Sequence, residues 1–336
     1  MRARIVVAAL AILSLCGVTA SARAEEAKIR IGAIDAVLTT PPDVERPPVV
    51  LLIAGTGSTD HDGNGPQIKP ATLKKLSEQL VARKIATLRY DKRGAGGWKS
   101  EFGRPEDFRF KDYVDDATAL VSYLRNSRKF SKVILVGHSE GGLVAILTAR
   151  RVPIDRLVLV GHSEGGLVAI LTAGRVPIDR LVLLATAARR QGDLIKAQLE
   201  KSLAPDVYAP IASAIDAIMA GQIVDPPPQG LAIAPSMQPG IASAFIEDPI
   251  DPLKLIERPT LIIGGGRDRQ VARLDFIALS AASPLAKTLW LPDMNHVLVD
   301  VTDEDDDLAA YNQPERALDP VLIDSVANFI LANDAR

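Results

Sequence analysis

The segment Gly137-His138-Ser139-Glu140-Gly141 recurs 24 residues later as Gly161-His162-Ser163-Glu164-Gly165. Each copy follows a short apolar run, at 133–136 and 157–160, and precedes a longer one, at 143–149 and 167–173. Gly-x-Ser-x-Gly in that setting predicts a strand, a sharp turn and a helix, with the serine displayed at the turn. The chain carries this arrangement twice, so two serines compete for one role.

The repetition extends beyond the motif. Residues 135–158 match 159–182 at every position but one, Arg150 against Gly174. Two copies are too few for a solenoid array, which needs at least three. The pattern reads as a recent tandem duplication or an error of sequence assembly.

The flanking sequence sets the fold class. Residues 27–38 alternate roughly and predict one or two entry strands, and 49–54 form the continuous apolar run of a strand buried on both faces. Residues 67–84 have helical spacing through Leu73, Leu76, Leu80 and Val81, 85–90 predict a strand, and 108–128 a helix. After 181–184 the rhythm breaks. Residues 186–258 predict helices near 192–203 and 210–220, then a stretch containing Pro226-Pro227-Pro228, and read as an inserted helical lid. Strands return at 259–264 and 287–291, and 319–332 predict a final amphipathic helix. Alternating strands and helices mean an α/β class with a mainly parallel, doubly wound sheet. The expected core is 25–185 with 259–336.

The amino-terminal segment reads as a signal peptide over 1–24. Arg2 and Arg4 precede an apolar stretch at 5–18, followed by the cleavage pattern Ala22-Arg23-Ala24. The stretch is shorter than the ~20 residues of a membrane-spanning helix. Cleavage removes Cys16, the only cysteine, and leaves no disulfide and no thiolate metal site. Export without disulfides suits the bacterial periplasm. A net charge of −2 supplies no basic field for nucleic acid.

A serine is a weak nucleophile and needs a base beside it. In a strand–elbow–helix fold the partners follow in the order acid, then histidine. Asp268 falls in the turn after 261–264, and His296 in the turn after 289–291. His296 would take the serine proton, and Asp268 would orient the ring. Of the four histidines, His138 and His162 sit inside the elbows, too close to the serine backbone to act as base, and His61 is the remaining competitor. Asp275, Asp293 and Asp300 compete with Asp268 and read as solvated carboxylates. An oxyanion would meet the amide after the serine, Glu140 or Glu164, and a second amide from Ala54-Gly55-Thr56-Gly57-Ser58, for which Thr56 is the choice.

Asp60-His61-Asp62-Gly63-Asn64-Gly65 matches the start of a calcium loop, but position 12 is Ala71 and a strand precedes it. The sequence therefore reads as Asx turns bordering the pocket, with no metal. The run 303–307 (Asp-Glu-Asp-Asp-Asp) reads as a solvated loop.

These motifs, with Arg89-Tyr90-Asp91-Lys92-Arg93-Gly94 and Met294-Asn295-His296-Val297-Leu298, resemble exported bacterial α/β-hydrolases of the serine aminopeptidase S33-like (Hydrolase_4) group. The resemblance covers nearly all of the mature chain. It implies the α/β-hydrolase fold, the triad above, hydrolysis of esters, amides or related acyl bonds, and no cofactor. The second elbow departs from the pattern.

Three arrangements are open: the extra unit enters the sheet as a strand, or either copy is extruded. With a strand added, Ser139 stays beside the Gly55–Gly57 loop but moves one strand, ~4.8 Å, from the acid and base. Ser163 keeps acid and base and loses the loop. A lost Ser–His hydrogen bond is worse than a lost oxyanion donor, so Ser163 is preferred over Ser139. The leading functional expectation is a serine esterase acting on small acyl substrates, with Ile211, Ile215, Ile218 and Phe245 of the lid read equally as substrate contacts or as ordinary lid packing. An aminopeptidase or amidase, and a hydrolase impaired by the duplication, are the alternatives.

Overall fold

The computed structural model describes residues 24–55, 59–65, 69–95, 110–138 and 140–332. Three sequence expectations therefore lie outside the described residues: the signal segment short of Ala24, Thr56 and Ser139.

The entry region is a hairpin, β1 (Glu25–Ile31) with β2 (Ile34–Thr40). Then come β3 (Val49–Ile53), α1 (Thr72–Ala82), β4 (Ala86–Tyr90) and α2 (Phe110–Ser127). Helix α1 begins later than its apolar spacing suggests. Pro70 and a left-handed Ala71 (φ 50°) hold the preceding chain outside the helix. The two duplicate units follow as β5 (Val133–His138) with α3 (Glu140–Ala149), and β6 (Arg156–His162) with α4 (Glu164–Ala173). β7 (Arg180–Leu184) leads into α5 (Gln191–Ser202), α6 (Pro205–Met219), α7 (Gln238–Phe245) and α8 (Ile250–Lys254). The chain closes with β8 (Thr260–Gly265), α9 (Arg273–Ala282), β9 (Lys287–Leu291), α10 (Glu304–Ala310) and α11 (Pro320–Leu331).

The nine strands form one sheet in the order β1-β2-β4-β3-β5-β6-β7-β8-β9. β2 pairs antiparallel with β1 and β4, and all later neighbours are parallel. This is the α/β-hydrolase fold with the second unit inserted as an interior strand. β6 lies between β5 and β7, so the extruded arrangements are excluded.

The insertion is stable because the unit carries its own attachments. Asp155 accepts the Val133 amide at 2.8 Å, and its twin Asp179 accepts the Leu157 amide at 2.7 Å, one strand further on. Arg156 and its twin Arg180 both donate to the Ala332 carbonyl at the end of α11. Leu157, Val158, Leu159, Val160 and Ile170 of the second unit are buried between the two core layers. Burying five such side chains is worth roughly 10 kcal/mol as an upper value, which an expelled unit would forfeit.

Four further features correct the sequence expectations or decide between them. Helix α6 starts at Pro205 rather than Pro210, because Pro at the first helical position gives up only an amide that has no partner there. Ile211, Ile215, Ile218 and Phe245 are buried against one another in a cluster private to this helical excursion, so they pack it and do not face a substrate. The acidic run is helix α10 rather than a loop: Asp303 caps it by accepting the Asp306 amide, and Asp307 is buried. Asp275 is also buried, accepting Arg189 through two hydrogen bonds together with the Ala188 and Ala272 amides. Its charge fastens the start of the excursion rather than facing water. Among the described residues no helix is long and apolar enough to cross a membrane.

Candidate active site

Both elbows reach the carboxyl edge of the sheet side by side. At the second, a Cβ on Gly161 would overlap Gly165 and Gly166, so only glycine lets β6 and α4 meet this closely. Ser163 stands between them with φ 56° and ψ −127°, a conformation costly for a residue with a side chain. Its amide donates to the Leu184 carbonyl at 3.0 Å. Such strain at a serine on a strand–helix turn is the backbone signature of an elbow.

Asp268 follows β8, and its side chain is 1% exposed. Its Oδ1 accepts the Gln270 and Val271 amides at 2.8 and 2.9 Å. His296, in the loop after β9, donates from Nδ1 to Asp268 Oδ2 at 3.0 Å. Nε2 is then the nitrogen left to accept a proton. The acid and base chosen from the sequence are brought together.

The loop carrying His296 is braced by two residues that sequence reasoning passed over. Asn295 is fully buried; its Oδ1 accepts the Val297 and Val299 amides, and its Nδ2 donates to Asp307 at 2.8 Å. Asn295 is adjacent to the histidine and was findable on that ground. Asp307 lay within an acidic run and gave no separate signal.

His162 joins this assembly to the second elbow. Its Nε2 donates to the His296 carbonyl at 2.8 Å, and the two rings lie 4.9 Å apart. Burial pushes the His162 pKa well below the ordinary imidazole value, with the neighbouring His296 and His138 acting in the same direction. The ring is thus a neutral donor. His138, the corresponding residue of the first elbow, stacks on His162 at 5.7 Å and has no hydrogen-bond partner among the described residues. Burial lowers its pKa to about 4.

The first elbow meets the other half of the site. Ile53, at the end of β3, pairs with Gly137, and a Cβ on Gly141 would overlap the Ile53 carbonyl. The Ala54-Gly55 exit therefore adjoins β5, while His296, held by Asp268, meets His162 at the end of β6. The inserted strand has separated elements that a single elbow would join. Glu164 and Glu140 open α4 and α3, so the amide of each stands at a helix start at this edge. Among the described residues neither the Ser163 hydroxyl nor His296 Nε2 has a hydrogen-bond partner.

His61 is not part of this assembly. It binds the buried Asp91 through Nδ1 at 2.6 Å and through its amide at 2.7 Å, and that hydrogen bond raises its pKa above the ordinary value. Asp91 follows β4, three strands from β6, or about 14 Å across the sheet. Around it, Asp60 accepts the Asp62 and Asn64 amides, and Asp62 pairs with Arg89. These are Asx turns, as expected, with the carboxylates committed to internal donors.

A cavity of about 300 Å³ opens beside the histidines. Its described lining includes Ala54, Gly55, Leu73, His138, His162, Val297, Leu298 and Tyr311, and no residue of the excursion between β7 and β8.

Two family models match the chain: serine aminopeptidase S33 over residues 71–159 and the alpha/beta hydrolase family over 148–311. Their junction falls within the duplicate. Esterase EstD of Thermotoga maritima is 23% identical over 284 residues, covering 82% of this chain; the chain spans 60% of that relative's length. Among solved structures, ferulic-acid-bound Est1E of Butyrivibrio proteoclasticus aligns with 91% of this chain and 98% of its own, at TM-score 0.45 and 18% identity. The Pyrococcus furiosus esterase PF2001 aligns over 92% and 90% at TM-score 0.42 and 15% identity. The chain thus has the α/β-hydrolase fold, and two family models match successive parts of it.

Proposed function

We propose that this protein is a serine hydrolase that cleaves small carboxylic esters through an acyl-enzyme, with Ser163 as nucleophile. The observation that carries the choice of serine is the contact of His162 with the His296 backbone, which ties the base to the second elbow. Ser163 Oγ attacks the ester carbonyl carbon and its proton passes to His296 Nε2. Asp268 stabilises the imidazolium, and the ring returns the proton to the leaving alkoxide. Water repeats the sequence on the acyl-enzyme. The Glu164 amide, at the start of α4, is the first oxyanion donor. The second donor, assigned from the sequence to Thr56, would follow the Ala54-Gly55 exit of β3, which adjoins β5 rather than β6. Losing one such donor lowers turnover on the order of 10²–10³-fold. The proposal is thus a working but slowed esterase. The scheme needs no cofactor.

An ester is favoured over an aminoacyl substrate by the cavity. No acidic side chain is among its described lining residues to pair with a substrate ammonium. The name of the relative EstD agrees with this reading. Export to the periplasm after cleavage at Ala24 completes the proposal.

The test is labelling by a fluorophosphonate, which requires an activated serine, in Ser163→Ala and Ser139→Ala chains assayed on p-nitrophenyl acetate. Loss of label and turnover only in Ser163→Ala is expected. Loss only in Ser139→Ala would overturn the assignment, and an unlabelled parent chain would overturn the activity.

A further inference from the structure

Adjoining the 300 Å³ cavity on the sheet side is a second one of about 50 Å³, walled by Leu52, Leu76, Val136, Val160, Leu322 and Val326 among others. The two share five lining residues: Thr72, Leu73, His138, His162 and Leu298. Four of these are fixed. Thr72 and Leu73 open α1, with the Leu73 amide bonded to the Asp62 carbonyl. His162 is tied to His296, and the Leu298 amide and carbonyl are both bonded, to Asn295 and Asp319. His138 is the exception. Its ring has no hydrogen-bond partner among the described residues. The duplication left it one strand away from the carbonyl that its twin binds.

We propose that His138 is a specificity-determining residue, an imidazole partition that closes the floor of the acyl pocket and limits this hydrolase to short, uncharged acyl groups. The inference rests on the esterase reading above. The upper cavity holds the acyl group next to His162, whose ring lies 4.9 Å from that of His296. An apolar chain long enough to reach the floor meets the His138 ring, and the space below is lined almost wholly by aliphatic side chains. Removing the ring joins the two cavities and adds its own volume, so the pocket deepens toward the sheet. Each methylene newly buried there favours the longer ester, because apolar contact discriminates by about tenfold or more per methylene in a fitted pocket.

The experiment compares kcat/KM for p-nitrophenyl acetate, butyrate and octanoate in the parent chain, His138→Ala and His138→Phe. His138→Ala should raise the octanoate-to-acetate ratio at least about tenfold. His138→Phe should lower it. Adding Leu76→Phe, which refills the lower cavity from α1, should return the His138→Ala ratio toward the parent value. An unchanged ratio in both single variants overturns the proposal. So does a rise in His138→Ala that Leu76→Phe fails to reverse. A second arm does not depend on turnover. Binding of the neutral fluorophore N-phenyl-1-naphthylamine is measured on Ser163→Ala and on Ser163→Ala/His138→Ala. Tighter binding to the double variant supports the partition, and equal binding refutes it. A parent chain that binds the fluorophore but hydrolyses no ester would mark failure of the esterase reading alone.

Discussion

Deleting one copy of the duplicate tests the split site directly. Removing 159–182 leaves a chain with one elbow, and the aspartate and arginine attachments of the second unit have equivalents in the first. Asp155 already holds the Val133 amide, as Asp179 holds that of Leu157, and Arg156 reaches the same carbonyl as Arg180. Closing the gap joins 156–158 to 183–184 as the strand next to β5, so one serine faces both the exit of β3 and the Asp268–His296 pair. The distance recovered is one strand spacing, about 4.8 Å, far more than an oxyanion contact tolerates. The expected gain in kcat/KM on p-nitrophenyl acetate is on the order of 10²–10³, the worth of one oxyanion donor. Stability should change little. The burial lost with β6 and α4 is offset by the ordering entropy that 24 fewer residues no longer cost. Turnover is read beside thermal melting and circular dichroism. A folded deletion chain whose kcat/KM lies within about tenfold of the parent would refute the claim that separation of the oxyanion loop limits the rate.

Other outcomes follow from the same geometry. Asp307→Ala removes the acceptor of Asn295 Nδ2, so kcat should fall several-fold with KM little changed, while Asp307→Asn, which keeps a carbonyl, should recover part of the loss. His138 is held neutral with a pKa of about 4 against 6.5 unfolded. The unfolded chain therefore binds the extra proton between those values, and stability falls as pH drops from 6.5 toward 4, by up to about 3 kcal/mol. His138→Gln should flatten that part of the Tm–pH curve. Asp300 works the other way: partial desolvation and the nearby Asp319 and Asp293 carboxylates raise its pKa to about 6. The folded chain holds its proton more tightly than the unfolded one, so this stabilisation fades as pH rises from 3.8 through 6, and Asp300→Asn should raise Tm above pH 6. Secreted protein should begin at Glu25 by amino-terminal sequencing, and an intact Met1 would refute processing after Ala24.

The elements that position the chemistry were legible because each depends on local pattern. An apolar run closed by Gly-x-Ser-x-Gly becomes β5 or β6 with its helix, and the turns after β8 and β9 carry Asp268 and His296 into contact. What sequence left open was decided by tertiary packing. Whether the second unit would enter the sheet depended on Asp179, Arg180 and the buried face of β6, whose partners lie far along the chain. Asp275 and Asp307 looked like surface charges because composition does not reveal that Arg189 and Asn295 would meet them. Ile211, Ile215, Ile218 and Phe245 read equally well as a binding face or a packed one, and only their mutual burial decides.

The clamps at Asp155 and Asp179 show that this parallel sheet behaves as a lattice with a movable seam, able to accept a spare row at little energetic cost. A reaction centre assembled across that seam has no such freedom, since its parts answer to fixed bond lengths rather than to a repeat. Duplication inside a strand–helix array can therefore preserve solubility and folding while uncoupling catalysis. Each severed half is then exposed to selection separately, and an elbow set one strand away from the histidine loop is free to acquire a different use.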